Sequence, residues 1–287
     1  MGARNLLNLA LVAFVIILGL VAYFKPGLQP EPAPRPLTTM VVPDQVSAIH
    51  IERTTRDPLS FIKRQDRWYL VNGEQQLPAS GFQLQALLRL LEATSTSHYA
   101  ADTVDLEALG LQPPQVIVKI DDLEILLGNT EALGNRRYAL IDTTVHLVED
   151  RYQHLVNAGW TNFVERRLVP EGSIIQTLLL PDMSLRLTNA NQWQLSPEKP
   201  GVSADSIAQL IDHWNNASAL FVRRYDGSQS DETIILGFRD IPETLTFTVT
   251  AHTPELILAR PDWNIQYHLS GSMEASLLTL QQAPAQQ

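Results

Sequence analysis

The chain contains no cysteine, which excludes disulfides and thiolate metal sites outright. It also lacks an excess of basic charge: 21 Lys and Arg stand against 31 Asp and Glu, a formal net charge of -10. That balance argues against a nucleic-acid partner and against attraction to anionic lipid. Catalytic signatures are missing too. Gly128 and Gly134 are not followed by the Lys and Ser or Thr that a phosphate loop requires. No serine sits in a Gly-x-Ser-x-Gly elbow. The histidines, His50, His98, His146, His154, His213, His252 and His268, never fall at i, i+4 around a glutamate, the spacing of a helical zinc site.

What is present begins with an apolar, uncharged run of about 19 residues, Leu6 to Phe24, long enough as a helix to cross a bilayer of roughly 30 Å. Asn8 is its one strongly polar residue, so backbone amides can pair inside the helix while Leu, Val, Ile and Phe face lipid. An uncleaved anchor is expected rather than a cleaved signal, because Leu20, Tyr23 and Phe24 stand where a small-x-small site is needed. Arg4 on one side and Lys25 with Arg35 on the other leave the charge rule undecided. The acidic body favours placement outside the cytoplasm, with the anchor in the inner membrane. Pro26, Pro30, Pro32, Pro34 and Pro36 then suggest an extended stalk rising about 3 Å per residue, or an ordinary disordered linker.

The expected organisation is an anchor over residues 1–25, a Pro-rich stalk over 26–40, a first α+β module over 41–158, a second over 159–280, and a disordered tail over 281–287. In the first module Ile49 and Ile51 alternate with His50 and Glu52, and Lys63 to Val71 places Trp68 and Leu70 on one strand face. A helix follows, with Leu84, Leu87, Leu88 and Leu91 on one side and Ser80 with Gln83 as a capping box. Strands are then expected at Val116 to Ile120, Leu123 to Leu127, Tyr138 to Ile141 and Val145 to Val148.

The second module repeats the order. Ser173 to Leu180, then Leu185 and Leu187, then Trp193 and Leu195 precede a helix with Ile207, Leu210, Ile211 and Trp214 on one face and Ser203 as cap. Leu245, Phe247 and Val249 alternate with Thr244, Thr246, Thr248 and Thr250, and Ile265, Tyr267 and Leu269 alternate with Gln266 and His268. These patterns predict sheets wet on one face. Connections too short for crossover helices predict mainly antiparallel pairing, hence an α+β fold, and the recurring order suggests a duplication.

Polar residues read mainly as structure. Asp102, Asp105 and Glu107 form one carboxylate cluster and Asp121, Asp122 and Glu124 another; the second falls at a hairpin turn, where Asp bonds its own backbone. A hydrolase using Asp121 and Asp122 is therefore a minor reading. His50, His146 and His268 lie on polar strand faces and are expected to be solvated. The pairs Arg136 and Arg137, Arg166 and Arg167, and Arg223 and Arg224 read as solvated surface, with Arg223 and Arg224 the first choice for binding a partner because they follow Leu220, Phe221 and Val222 in an edge strand. Trp68, Trp160, Trp193 and Trp263 are candidates to line a ligand crevice between the modules, with burial in the two cores as the simpler reading. No catalytic, cofactor-binding or metal-ligating residue is nominated.

Five strings go further: Gln65 to Leu70 with its Trp-x-Leu, Leu109 to Pro114 reading Leu-Gly-Leu-Gln-Pro-Pro, Ile125 to Gly128, Arg137 to Val148, and Phe163 to Val169. Together they make the body from about Val46 to Leu269 resemble the bacterial family called domain of unknown function 4340. The second half departs from the pattern, offering only Leu236, Gly237, Phe238 and then Pro242. The resemblance implies a single-pass envelope protein with a large external part, some of whose relatives resemble auxiliary parts of ABC-type transport or gliding systems. It supplies no catalytic residues. The expected function is a non-enzymatic docking or accessory subunit, with a ligand- or glycan-binding accessory as the alternative.

Overall fold

Alternating apolar and polar residues make short antiparallel strands the commonest regular element of this chain, because each strand has one face to bury and a turn residue at hand to reverse it. Gln65 and Asp66, with φ of 48° and 62°, make a two-residue hairpin loop of the kind that needs positive φ at both positions. The expected continuous segment Lys63 to Val71 is therefore corrected to two strands around that loop. A computed structural model describes residues 3–24, 35–38, 41–132, 134–239 and 241–280. Most of the expected stalk and the tail over 281–287 lie outside the described residues.

The first sheet holds β1 (Arg35–Pro36), β2 (Ala48–Arg53), β3 (Arg56–Arg64), β4 (Arg67–Asn72), β5 (Gln75–Pro78), β6 (Thr94–Ala100), β7 (Val116–Ile120), β8 (Leu123–Thr130), β9 (Arg136–Ile141) and β10 (Thr144–Glu149). The second holds β11 (Ile175–Leu180), β12 (Met183–Leu187), β13 (Trp193–Ser196), β14 (Phe221–Arg224), β15 (Thr233–Phe238), β16 (Leu245–Ala251), β17 (Glu255–Arg260) and β18 (Ile265–Ser270). The helices are α1 (Ala3–Phe24), α2 (Gly81–Leu88), α3 (Gln153–Val156), α4 (Ala204–Asn216) and α5 (Met273–Leu278). The α+β expectation holds, as two mainly antiparallel sheets with a few helices.

The two sheets share one strand order. The first runs β1-β6-β10-β9-β8-β7-β2-β3-β4-β5, and the second, read from its other end, runs β14-β18-β17-β16-β15-β11-β12-β13. Replacing β6, β10, β9, β8, β7, β2, β3 and β4 by their later counterparts gives the second order strand for strand. The helices agree: α2 and α4 precede β6 and β14, while α3 and α5 follow β10 and β18. Even the approach to each sheet matches. Leu37 N–H donates to the Ala93 carbonyl at 2.8 Å beside β6, and Leu168 N–H donates to the Ala217 carbonyl at 3.0 Å just before β14.

Residues 163–168 join the sheets by pairing on both sides. Ser80 N–H donates to the Phe163 carbonyl and Glu165 N–H to the Pro78 carbonyl on the β5 side; Ala219 N–H donates to the Arg166 carbonyl on the other. Phe163 carries the joint into the core, its ring centroid 4.9 Å from that of Phe61. A single cluster of buried apolar residues consequently runs through both halves. Burying each Leu, Ile or Phe side chain in it contributes about 1.5–3 kcal/mol.

The helix expectations hold in their cores. Ser80 caps α2 through the Gln83 N–H, and Ser203 caps α4 through the Ser206 N–H. Ser80 N–H itself goes to Phe163 rather than back to a Gln83 side chain. Leu91 is buried in a 3-10 turn, Arg89–Glu92, that ends α2 early. Ile207, Leu210, Ile211 and Trp214 are all buried on α4. One strand expectation needs correction: β18 is buried on both faces, with Gln266 and His268 only 4% and 5% exposed. The Phe221 ring stacks on His268 at 4.6 Å, and Gln266 accepts the Asp226 N–H, so neighbouring elements roof the face that alternation marks as wet.

α1 stands apart. Its described side chains, Leu11 to Leu20 and Tyr23, are all exposed. Among the described residues no helix is long and apolar enough to cross a membrane. The expected span from Leu6 to Phe24 takes in positions whose side chains lie outside that description.

Candidate functional site

The expected polar clusters are tied into the fold. Asp121 sits in the β7–β8 turn at φ 48°, and its carboxylate accepts from Ser47 N–H, Ser47 Oγ at 2.7 Å and Ala48 N–H. It therefore anchors the start of β2 and does not bond its own turn, which corrects the expected geometry. Asp105 accepts from Glu107 and Ala108 N–H groups and closes a turn.

Solvation is also corrected for several residues. His268 is buried, with Nδ1 2.8 Å from Glu255 and Nε2 3.0 Å from the Gln266 amide. His146 is half-buried, with Nδ1 3.1 Å from Ser95 Oγ, and burial, helped by His98 across the strand pair, pushes its imidazole below the usual range. His50 is half-buried beside Ser60. Arg137 is buried, in contact with Asp150. Arg166 and Arg167 donate to the Leu220 and Asn215 carbonyls.

Arg223 and Arg224 are exposed on β14, at the end of the strand order. Arg223 lies 4.8 Å from the Phe221 ring centre and Arg224 6.0 Å from that of Trp160. The tryptophans do not converge. Trp68 is buried in the first sheet, Trp263 lies under the Arg260 guanidinium at 3.7 Å, and Trp193 is half-buried on β13 at the far end of the second sheet. No ring contact joins any two of these tryptophans among the described residues.

A cleft that the sequence did not point to opens where the chain leaves α2 and β10. It is half open to solvent, has a volume of about 520 Å³ and is lined by Arg89, Glu92, Thr96, Glu149, Arg151 and Tyr152. Arg89 and Glu92 come from the 3-10 turn, Thr96 from β6, and the rest from the end of β10 and the approach to α3. Arg151 pairs with Glu149 at 2.5 Å, while Arg89 and Glu92 make no ion pair among the described residues. Tyr152 donates its hydroxyl to the Arg89 carbonyl at 2.9 Å, and burial pushes its phenol above the usual range. The lining offers both signs of charge and hydroxyl groups, suited to holding a small polar molecule that carries both an anionic and a cationic group. These residues lie about 60 positions apart on segments that neither motif nor periodicity connects.

His252 lies between carboxylates, Nδ1 2.8 Å from Glu274 and Nε2 3.1 Å from Glu232. No group of three or more His, Asp or Glu side chains suited to a metal ion occurs among the described residues. No family model, no curated protein and no solved structure matches the chain.

Proposed function

We propose that this chain is a non-enzymatic envelope protein, held in the inner membrane by α1 with its body outside the cytoplasm, where it acts as a docking or accessory subunit. The exposure of α1 carries this reading: apolar residues from Leu11 to Leu18 stand open around the whole helix circumference, several above 55% exposed. A helix apolar all round gains nothing from water and needs either a protein interior or lipid about it. Its partner in the docking role is an envelope protein, and the resemblance to domain of unknown function 4340 makes components of an ABC-type transport system the first choice. The buried polar groups support a non-enzymatic reading, since Arg137, Arg260 and His268 are committed to Asp150, Asp262 and Glu255 within the body.

The test is crosslinking in intact cells followed by identification of neighbours, together with fractionation and protease access in spheroplasts. The expected result is a chain that needs detergent for release, is digested from outside and carries a reproducible envelope partner. Release by gentle lysis without detergent would overturn the anchor, and recovery of this chain alone would overturn the docking role.

The cleft beside Tyr152 favours a second reading, a ligand-binding accessory. A thermal-shift screen of amino acids, short peptides and sugars tests it, because a ligand that binds only the folded state raises the melting temperature.

A further inference from the structure

The cleft beside Tyr152 carries two guanidiniums and two carboxylates, and its other side chains are uncharged. Arg89 and Glu92 make no ion pair among the described residues, and the Arg151–Glu149 pair is 74% and 55% exposed, where water and salt leave it weak. Burial dominates the raised pKa of the Tyr152 phenol, but the charges of Arg151, Glu92, Glu149 and Arg89 all reach it as well. The lining therefore sums to zero and offers separate places for an anion and a cation. Because its mouth is half open, a bound group can continue out of it. Seven positions before Arg89 on the same face of α2, Phe82 is 77% exposed, about 10 Å away along the helix axis. The cleft also lies where β1 enters the sheet, since Pro36 pairs with Thr94 and Thr94 is part of the lining. Residues 25–34 connect β1 to α1, and that length of chain allows at most about 40 Å between Phe24 and Arg35.

We propose that this cleft binds the phosphoethanolamine headgroup of a membrane lipid, with the phosphate toward Arg89 and Arg151 and the ammonium toward Glu92 and Glu149. A guanidinium meets phosphate oxygens with paired N–H donors. Carboxylates accept hydrogen bonds from a primary ammonium and none from a quaternary one, and Tyr152 is the one ring in the lining, too few for the aromatic cage that a trimethylammonium needs. The headgroup is net neutral, so a chain of formal net charge -10 meets none of the repulsion that anionic lipid presents. Exposed charges hold a dilute solute poorly. A lipid surface within reach of a short tether is different, because it supplies headgroups at high effective concentration. Phe82 adds an apolar contact at the acyl boundary. Such binding rests on the reading of α1 as an anchor and of the cleft as a ligand site.

Two arms test it on the full-length chain. In detergent, glycerophosphoethanolamine is expected to raise the melting temperature at concentrations at least tenfold lower than glycerophosphocholine, glycerol 3-phosphate or ethanolamine. Arg89→Gln and Glu92→Gln, both at exposed positions, should each weaken that response at least tenfold and leave the ligand-free melting temperature nearly unchanged. In nanodiscs, amide exchange over residues 89–96 should slow when phosphatidylethanolamine replaces phosphatidylcholine, and Arg89→Gln should abolish the difference. An equal response to the ethanolamine and choline forms in both arms, or a response that neither variant changes, overturns the proposal. A response to the soluble form with no difference between the two nanodiscs overturns the lipid and leaves a free phosphoethanolamine solute as the source. Failure of the anchor is read separately, by release without detergent, and failure of the cleft as a ligand site by silence toward every compound in the thermal screen.

Discussion

The guanidinium of Arg137 lies 2.9 Å from the carboxylate of Asp150, with only 6% and 3% of the two side chains exposed. The same guanidinium donates to the Gly128 carbonyl at 2.6 Å and reaches Thr130 Oγ1 at 3.3 Å, across the point where the β8–β9 register slips. Asp150 also accepts from Thr130 Oγ1 at 3.0 Å. A sheet interrupted by a bulge loses ladder bonds, and here one buried cation supplies the missing donors.

Removing one partner strands the other. Asp150→Ala leaves the Arg137 charge buried without a counter-ion and is expected to cost about 3–5 kcal/mol in denaturant unfolding. The double replacement Arg137→Met with Asp150→Leu should cost less than either single change, because no unpaired charge remains. A double variant at least as damaging as Asp150→Ala would show that the bulge depends on the charge itself.

Gly128 explains why two of the five strings, Leu109 to Pro114 and Ile125 to Gly128, belong together. A Cβ there would collide with the Leu109 carbonyl, and one on Gly110, whose φ is +67°, would meet Asn129 Oδ1 at 2.6 Å. Asn129 N–H in turn donates to Leu109 at 2.8 Å. Gly128→Ala is expected to destabilise by about 1–3 kcal/mol through forced backbone shifts. Gly73→Asn, at positive φ in open space, should be nearly neutral in the same melts.

Trp214 is fully buried on α4, and its Nε1–H donates to the Leu277 carbonyl on α5 at 2.9 Å. Trp214→Ala should cost about 3–5 kcal/mol. Trp214→Phe keeps most of the packing but leaves that carbonyl unpaired, so limited proteolysis should cut near α5 sooner while the rest of the body stays resistant.

Acid should loosen the β6–β10 pair. Burial holds the folded-state pKa of His146 below its ordinary value, so between the two the unfolded chain binds more protons. Its contribution is neutral above about pH 6.5 and turns unfavourable as pH falls below that and through the folded-state value. Unfolding free energies measured across that range should fall less steeply toward acid in His146→Gln than in the parent chain. An equal slope would remove His146 as a source of acid sensitivity.

Much of the body is legible from pattern alone. The spacing of Ile207, Leu210, Ile211 and Trp214 can bury itself only as a helix, and the alternation around Phe247 only as a strand. The turn at Asp121 and Asp122 is legible in the same way, but the partners of the Asp121 carboxylate, Ser47 and Ala48, come from the distant start of β2. Burial of Gln266 and His268 is different. Their alternation marks a wet face, and only the return of β14 beside β18, from over 40 residues earlier, brings Phe221 down upon them. Arg137 resembles its neighbour Arg136 in sequence, yet Arg136 is half-buried against Glu131 while Arg137 is buried because Asp150 and a slipped register surround it. The cleft has no local signature, since Arg89 and Arg151 meet only after β6 and β10 pair.

The sequence by itself determined the charge balance, the absence of thiol chemistry, the apolar opening run and the strand and helix periods, because each depends on residues within a few positions of one another. Tertiary structure decided the common strand order of the two sheets, the stitch at residues 163–168, the buried polar contacts and the cleft beside Tyr152. Those depend on which distant strands become neighbours, and hydrogen-bond pairing across a sheet leaves no trace in the spacing of residues along one strand.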